Sequence, residues 1–221
     1  MYHKIALGAA AAALLMAGAA HAQTMVTATS DLNIRSGPGP HHPVVGVIAV
    51  DGQADLEGCL QASKWCRVSY NGTQGWAYSD YLIAEYSGRD MVVAQRPAEV
   101  EIPVVEYEDE TGTGAAVGAT GGAVAGAIIG GPIGAAVGGV AGANLGAATA
   151  IAIDPPQQTR SYILENEVEP VYLEGEVVIG AGVPEPVRLY EIPDYEYRYA
   201  YVNGQPVIVE PTDRRIVYIV R

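Results

Sequence analysis

Short stretches in which hydrophobic and polar residues alternate fill the chain between residues 26 and 83. They occupy positions 32–35, 44–50, 54–59, 65–70 and 74–78, and the breaks at 36–40, 51–52 and 71–72 contain Gly together with Pro, Asp or Asn. Alternation with a period of two is typical of half-buried strands, and Asn71-Gly72 between two such stretches is a strong hairpin signal. Several short strands without a helical period predict a small β-barrel or sandwich.

Alternation returns near the C-terminus. Residues 195–202 and 205–209 flank Asn203-Gly204, and a further strand at 215–220 follows a turn at 212–214, which predicts an antiparallel β-meander. Four tyrosines of the first stretch project from one face; they are Tyr195, Tyr197, Tyr199 and Tyr201. We expect this face to be the core layer of a small sheet, and the alternative is an exposed aromatic platform.

Residues 111–153 carry no charge and are almost entirely small or apolar. Glycine recurs at every fourth position, at Gly114, Gly118, Gly122, Gly126, Gly130, Gly134, Gly138, Gly142 and Gly146. This glycine zipper allows helix backbones to approach closely, and Gly130-Gly131-Pro132 breaks it into a predicted helical hairpin. Three interpretations remain open: a membrane-associated or self-packing hairpin, a flexible linker, and a helix docked on the protein's own domains.

The chain begins with a short cationic stretch, an apolar run over residues 5–20 and Ala20-His21-Ala22. This order is typical of a secretory signal peptide cleaved after Ala22. The apolar run is shorter than a membrane span, which argues against an uncleaved anchor. Export to an oxidising compartment predicts a structural disulfide between Cys59 and Cys66, whose spacing differs from that of a redox Cys-x-x-Cys pair.

Charge and composition exclude several functions. The chain has 12 basic and 25 acidic residues, a formal net charge of −13, so no nucleic-acid partner is expected. His41 and His42 lie in a Pro-rich loop without nearby acids or cysteines, which favours a solvated loop over a metal site. The sequence contains no pattern typical of a nucleophile or a histidine base, so we expect no catalytic residue, no cofactor and no enzymatic activity.

Two segments resemble known families. Residues 32–40 (Leu-Asn-Ile-Arg-Ser-Gly-Pro-Gly-Pro), together with 65–68, 71–72, 75–77 and 79–82, resemble bacterial SH3 domains. The resemblance implies an SH3-like β-barrel that binds cell-wall or peptide ligands without catalysis. The tail, through residues 169–172, 199–209 and 216–220, resembles a C-terminal domain of unknown function found in exported Gram-negative proteins.

Aromatic residues of the barrel are the candidate ligand groove, because SH3-like barrels bind extended peptides on exposed aromatic faces. The candidates are Tyr70, Trp76, Tyr78 and Tyr81. The absence of phenylalanine means that some of them must serve the core. Trp76 is a core candidate, and Tyr78 and Tyr81 are equally compatible with groove and packing.

These observations predict a mainly β, non-enzymatic envelope protein that binds peptidoglycan or an envelope peptide or protein through its barrel. One alternative is a structural or stress-related protein that associates with a membrane, or with itself, through the zipper. A weaker alternative is a targeting subunit of a cell-wall hydrolase. The predicted segments are a signal peptide (1–22), an SH3-like barrel (23–84), an acidic, solvated linker (85–110), the zipper hairpin (111–153) and a C-terminal β domain (154–221).

Overall fold

The computed structural model describes residues 24–107, 129 and 152–221. The predicted signal peptide lies outside the described residues. So do all nine zipper glycines, and with them the predicted helical hairpin. Within the described ranges the fold is mainly β, and its one α-helix is too short to cross a membrane.

The N-terminal unit is an eight-stranded antiparallel sheet that curls into a half-barrel, with the order β3-β2-β6-β5-β4-β1-β7-β8. Its strands are β1 (Thr24–Ala28), β2 (Leu32–Arg35), β3 (Val44–Ile48), β4 (Gln53–Cys59), β5 (Trp65–Tyr70), β6 (Thr73–Tyr78), β7 (Leu82–Tyr86) and β8 (Arg89–Val92). The five predicted strands are present as β2 to β6. The Asn71-Gly72 hairpin is also present, because β5 and β6 pair from Trp65↔Tyr78 to Tyr70↔Thr73.

The first part of the predicted linker is folded instead. Residues 85–92 complete the hairpin of β7 and β8, whose turn has positive φ at Ser87 and Gly88. A single 3₁₀ turn, Val93–Gln95, follows, and Val92 and Val93 are buried. The linker prediction is therefore wrong for this part, because Arg89 and Asp90 lie on the edge strand β8 and not in a solvated coil.

The rest of the predicted linker, as far as residue 107, lies against the barrel. Val104 forms a parallel bridge with Cys59, whose N–H donates to the Pro103 carbonyl over 2.9 Å. Ile102 and Val105 are partly buried against the core. This segment, residues 101–107, is called the strap below; it is extended as predicted but not freely solvated.

The C-terminal unit contains the predicted meander. It consists of α1 (Gln157–Glu165), β9 (Tyr190–Glu191), β10 (Arg198–Val202), β11 (Gln205–Val209) and β12 (Ile216–Ile219), and the sheet order is β12-β11-β10-β9. Asn203 and Gly204 connect β10 to β11 with φ values of 52° and 75°, both in the left-handed region that a type I′ turn requires.

β10 is buried on both faces. Tyr199 and Tyr201 pack under α1, and their hydroxyls donate to the carbonyls of Asn166 and Ile163. This arrangement agrees with the predicted core face, although the preceding Tyr195 and Tyr197 stay partly exposed. The opposite face, with Ala200 and Val202 buried, joins a hydrophobic cluster that also contains the barrel core. The two units therefore share one core.

Candidate functional site

The predicted groove aromatics do not form an open groove. Trp76, Tyr78 and Tyr81 are each only 3–4% exposed, and Tyr70 is partly buried against the same core. The structure thus places Trp76 in the core, as anticipated, and for Tyr78 and Tyr81 it agrees with the packing alternative.

The buried aromatics contact one another and the strap. Trp65 meets Tyr78 edge-to-face with ring centroids 5.3 Å apart, and Tyr78 lies 6.3 Å from Tyr81. Tyr107 of the strap packs edge-on against Trp76 at 5.5 Å. These geometries are favourable for aromatic pairs, so the cluster stabilises the barrel and fixes the strap across it.

Carboxylates of the C-terminal unit lie near this cluster. Burial raises the pKa of the Tyr78 and Tyr81 phenols well above the usual value, and the negative charge of Asp80 adds to both shifts. Glu174 contributes to the raised pKa of Tyr78, and Glu176 to that of Tyr81. Trp76, Tyr78 and Tyr81 belong to the same cluster of buried residues as Leu173 and Val177 of the C-terminal unit, so these aromatics are part of the shared core and not of an open groove.

A buried ion pair between the two units involves Arg35 of β2. Leu32 and Ile34 face the barrel core, so Asn33 and Arg35 project from the opposite side of the strand. Arg35 is 1% exposed, and its Nε and Nη2 contact the two carboxylate oxygens of Glu176 at 2.5 and 2.6 Å. This fork-to-fork pairing is the most specific arrangement of an arginine with a carboxylate.

The remaining Arg35 donors are held by backbone carbonyls. Nη1 donates to Pro40 and His42 of the barrel's own loop at 3.0 and 2.7 Å, and Nη1 and Nη2 lie 3.4 Å from the carbonyl of Asn203. All five N–H groups of the guanidinium thus have acceptors, which is what allows a cation to be buried at this depth.

Glu176 is fully buried and accepts two further hydrogen bonds on Oε1. One comes from Nδ2 of Asn33 at 3.2 Å, and the other from the backbone N–H of Val177 at 2.8 Å. Asn33 Nδ2 also lies 3.3 Å from the Val177 carbonyl. Asn33 and Arg35 of the barrel, which we call the cradle, therefore enclose a single carboxylate of the C-terminal unit.

Asn203 links the hairpin turn to this network. Its Oδ1 accepts from the N–H of Leu173 at 2.8 Å, and its Nδ2 donates to the carbonyl of Gly175 at 3.2 Å. The turn residue therefore fixes the segment that carries Glu176, in addition to setting the register of β10 and β11. The sequence identified Asn203 only as a turn former.

Residue 129, next to the predicted break of the zipper, also contacts this region. The N–H of Ile129 donates to the Glu174 carbonyl at 3.0 Å, and its side chain is 3% exposed within the shared core. Gly175 adopts φ +109°, and a Cβ added there would lie 3.4 Å from that of Ile129. A glycine at position 175 therefore suits both the backbone conformation and this close approach.

The loop after β2 is exposed at His41 and Pro43 and partly buried at His42. The imidazole of His41 stacks on the ring of Tyr172 with centroids 4.2 Å apart. Among the described residues there is no group of three or more potential metal ligands. His41 thus joins this loop to the C-terminal unit, whereas His42 packs edge-on against Tyr107 of the strap with ring centroids 5.8 Å apart.

The sequence did not identify Glu176 as a site residue. The only local signal is an acidic residue directly before the apolar Val177 and Val178, all three of which are buried. Its partner Arg35 lies 141 positions away in the bacterial SH3 motif, so no pattern within either segment connects them.

The predicted disulfide is confirmed. Cys59 and Cys66 are bonded, and they are paired residues on the adjacent strands β4 and β5. The bond lies beside the strap, because Cys59 also exchanges backbone hydrogen bonds with Pro103 and Val105. It therefore stabilises the strand to which the strap attaches.

Comparison with known proteins supports both resemblances. No curated protein and no solved structure gives a significant match to the chain. Family models do match two segments, each shorter than half of the chain. Residues 30–83, which include the cradle and the disulfide, match the bacterial SH3 domain, and residues 162–221, which include Glu176 and Asn203, match a domain of unknown function, DUF1236.

Proposed function

We propose that the protein is a non-enzymatic binding protein of the cell envelope whose SH3-like barrel recognises peptidoglycan or an envelope peptide. The match of residues 30–83 to the bacterial SH3 domain carries this proposal, because such domains commonly bind peptidoglycan or proteins. The disulfide is consistent with a protein that works outside the cytoplasm.

Solvent-exposed apolar side chains of the barrel lie on β3, the strand that pairs with the cradle strand β2. β3 is an edge strand, and Val44 and Val45 expose 37% and 47% of their surface. An edge strand with apolar side chains can add an extended peptide through backbone hydrogen bonds. The ligand would therefore lie along β3, beside the position where Glu176 meets the barrel.

Co-sedimentation with purified sacculi tests the proposal. The mature chain should pellet with sacculi in a saturable manner, and Val45→Glu should weaken pelleting because it places a charge on the ligand face. Val50→Glu is the matched control, since Val50 is 53% exposed but lies in the turn after β3. A wild-type chain that stays in the supernatant at every sacculus concentration would refute wall binding.

The same incubation tests the absence of catalysis. We expect no soluble muropeptides above the level of a protein-free control after prolonged incubation. Release that depends on the protein would overturn the non-enzymatic part of the proposal and would favour an enzyme acting on the wall.

A further inference from the structure

The donors of the cradle belong to the barrel alone, whereas the carboxylate that they bind comes from the other unit. Arg35 and Asn33 direct three N–H donors towards Glu176. In the folded chain these donors lie on one strand, two residues apart. Any peptide that presents a carboxylate at the same position would find the same donors.

The guanidinium is positioned without help from Glu176. Nη1 of Arg35 is held by the carbonyls of Pro40 and His42, both in the loop between β2 and β3. A guanidinium fixed on one side presents its other edge as a rigid, planar fork, which matches the two oxygens of a carboxylate. The barrel therefore contains a pre-oriented carboxylate receptor.

A second observation indicates the class of ligand. Oδ1 of Asn33 is buried and accepts no hydrogen bond from any of the residues that the structure describes. A buried amide oxygen gains stability from a donor. A peptide carries N–H groups next to its carboxylates, so it can supply both the acceptor for Arg35 and the donor for Asn33.

We propose that the cradle is a carboxylate-binding site for an extended acidic peptide, and that Glu176 occupies it in cis as a built-in competitor. This inference deepens the proposed function, on which it rests, by naming the chemistry of the ligand. Two sources can supply such a carboxylate: the peptides of the cell wall, or residues 171–178 of a second copy of the chain. The ligand would extend from the cradle along the exposed Val44 and Val45 of β3.

A peptide-binding titration tests this proposal on the full mature chain. The probe is a labelled, end-capped peptide with the sequence of residues 171–178, and its control carries Gln in place of Glu176. Glu176→Gln in the protein should bind the probe at least about tenfold more tightly than the wild type does, because the internal competitor has lost its charge. The Gln peptide should bind this variant at least about tenfold more weakly.

Glu174→Gln is the matched control variant. Glu174 lies two residues before Glu176, but its side chain is exposed and makes no contact with the cradle. It should bind the probe as weakly as the wild type does. Equal binding of both peptides to Glu176→Gln, or no binding at all by a folded variant, would overturn the proposal.

A measurement on the wild type covers the case in which the variant fails to fold. Near-ultraviolet circular dichroism reports folding, since the barrel aromatics are buried. If the variant is unfolded, hydrogen exchange of residues 171–178 in wild-type protein is followed with excess probe. Faster exchange with the Glu peptide than with the Gln peptide would support competition, and identical exchange would refute it.

Sacculus binding and light scattering are the two further readouts. They distinguish wall peptides from a second copy of the chain as the ligand, and they distinguish failure of the cradle inference from failure of wall binding. If Glu176→Gln binds sacculi more tightly than the wild type, wall peptides are the ligand. If it becomes dimeric by light scattering and binds the probe but not sacculi, the cradle inference stands with a second copy as ligand, and wall binding fails. If sacculi bind both proteins equally and the probe binds neither, wall binding stands and the cradle inference fails.

Discussion

Removing the Glu176 carboxylate should be among the most damaging single substitutions in this chain. Glu176→Ala deletes both acceptors of the Arg35 fork and leaves a guanidinium that is 1% exposed without its counter-ion. Breaking a buried pair in this way costs about 3–5 kcal/mol of unfolding free energy. For a chain of this size that cost lowers Tm by roughly 6–20 °C.

Urea unfolding followed by tryptophan fluorescence measures the effect, since both tryptophans lie in the barrel. The matched control is Glu57→Ala, which removes the partner of Arg67 in a pair whose side chains are 24% and 41% exposed. A surface pair of this kind contributes less than about 1 kcal/mol, so the control should stay close to the wild type.

A double-mutant cycle completes the test. Arg35→Met and Glu176→Leu are measured singly and together. The double variant removes both charges and should lose much less stability than the two single variants lose in sum, because apolar residues of similar volume replace a buried pair at little cost. If Glu176→Ala costs no more than Glu57→Ala, or if the double variant loses as much as the sum of the single ones, the reasoning from the buried pair is refuted.

Three further outcomes are expected. Reducing the disulfide of Cys59 should destabilise the barrel by about 2.5 kcal/mol, measured by urea unfolding with and without reductant, and unchanged stability would contradict a structural bond. Tyr199→Ala should cost roughly 3–5 kcal/mol in thermal melting because the ring is buried, whereas the partly exposed Tyr195→Ala should cost far less; equal melting of the two variants would refute the core assignment. Because the pKa of Tyr78 and Tyr81 is raised in the folded chain, the unfolded chain releases these protons first, so the contribution of these two tyrosines to stability should be constant below pH 10.0 and should be lost as the pH rises above it. A near-ultraviolet phenolate titration checks this, and ionisation of every tyrosine at the ordinary pKa in folded protein would contradict it.

Local patterns in the sequence were sufficient to predict the positions of most strands and turns. The hairpin at Asn203-Gly204 was predictable because the two positive φ values are a property of the turn residues themselves. The β7–β8 hairpin was not predictable, because Arg89 and Asp90 on an edge strand have the same polar appearance as a linker.

The candidate site was less accessible to sequence reasoning. Alternation placed Tyr78 in a strand of the barrel and the family resemblance placed Tyr81 beside it, but both rings are buried in a core that also contains residues from far along the chain. The contact of Arg35 with Glu176 has the same origin, since it joins two separately folded patterns across 141 positions. Such long-range contacts follow from tertiary packing, and neither segment contains a sequence pattern that indicates them.

Ile129 has a consequence for how the Gly- and Ala-rich segment can be used. A bilayer that took up the Gly130-Gly131-Pro132 break would have to withdraw this isoleucine from the shared core and separate its N–H from Glu174. Losing the burial of one isoleucine costs about 1.5–3 kcal/mol. Binding of the segment to lipid and packing of Ile129 in the core therefore oppose each other. Packing of Ile129 makes lipid binding less favourable by a certain free energy, and lipid binding makes the packing of Ile129 less favourable by the same free energy.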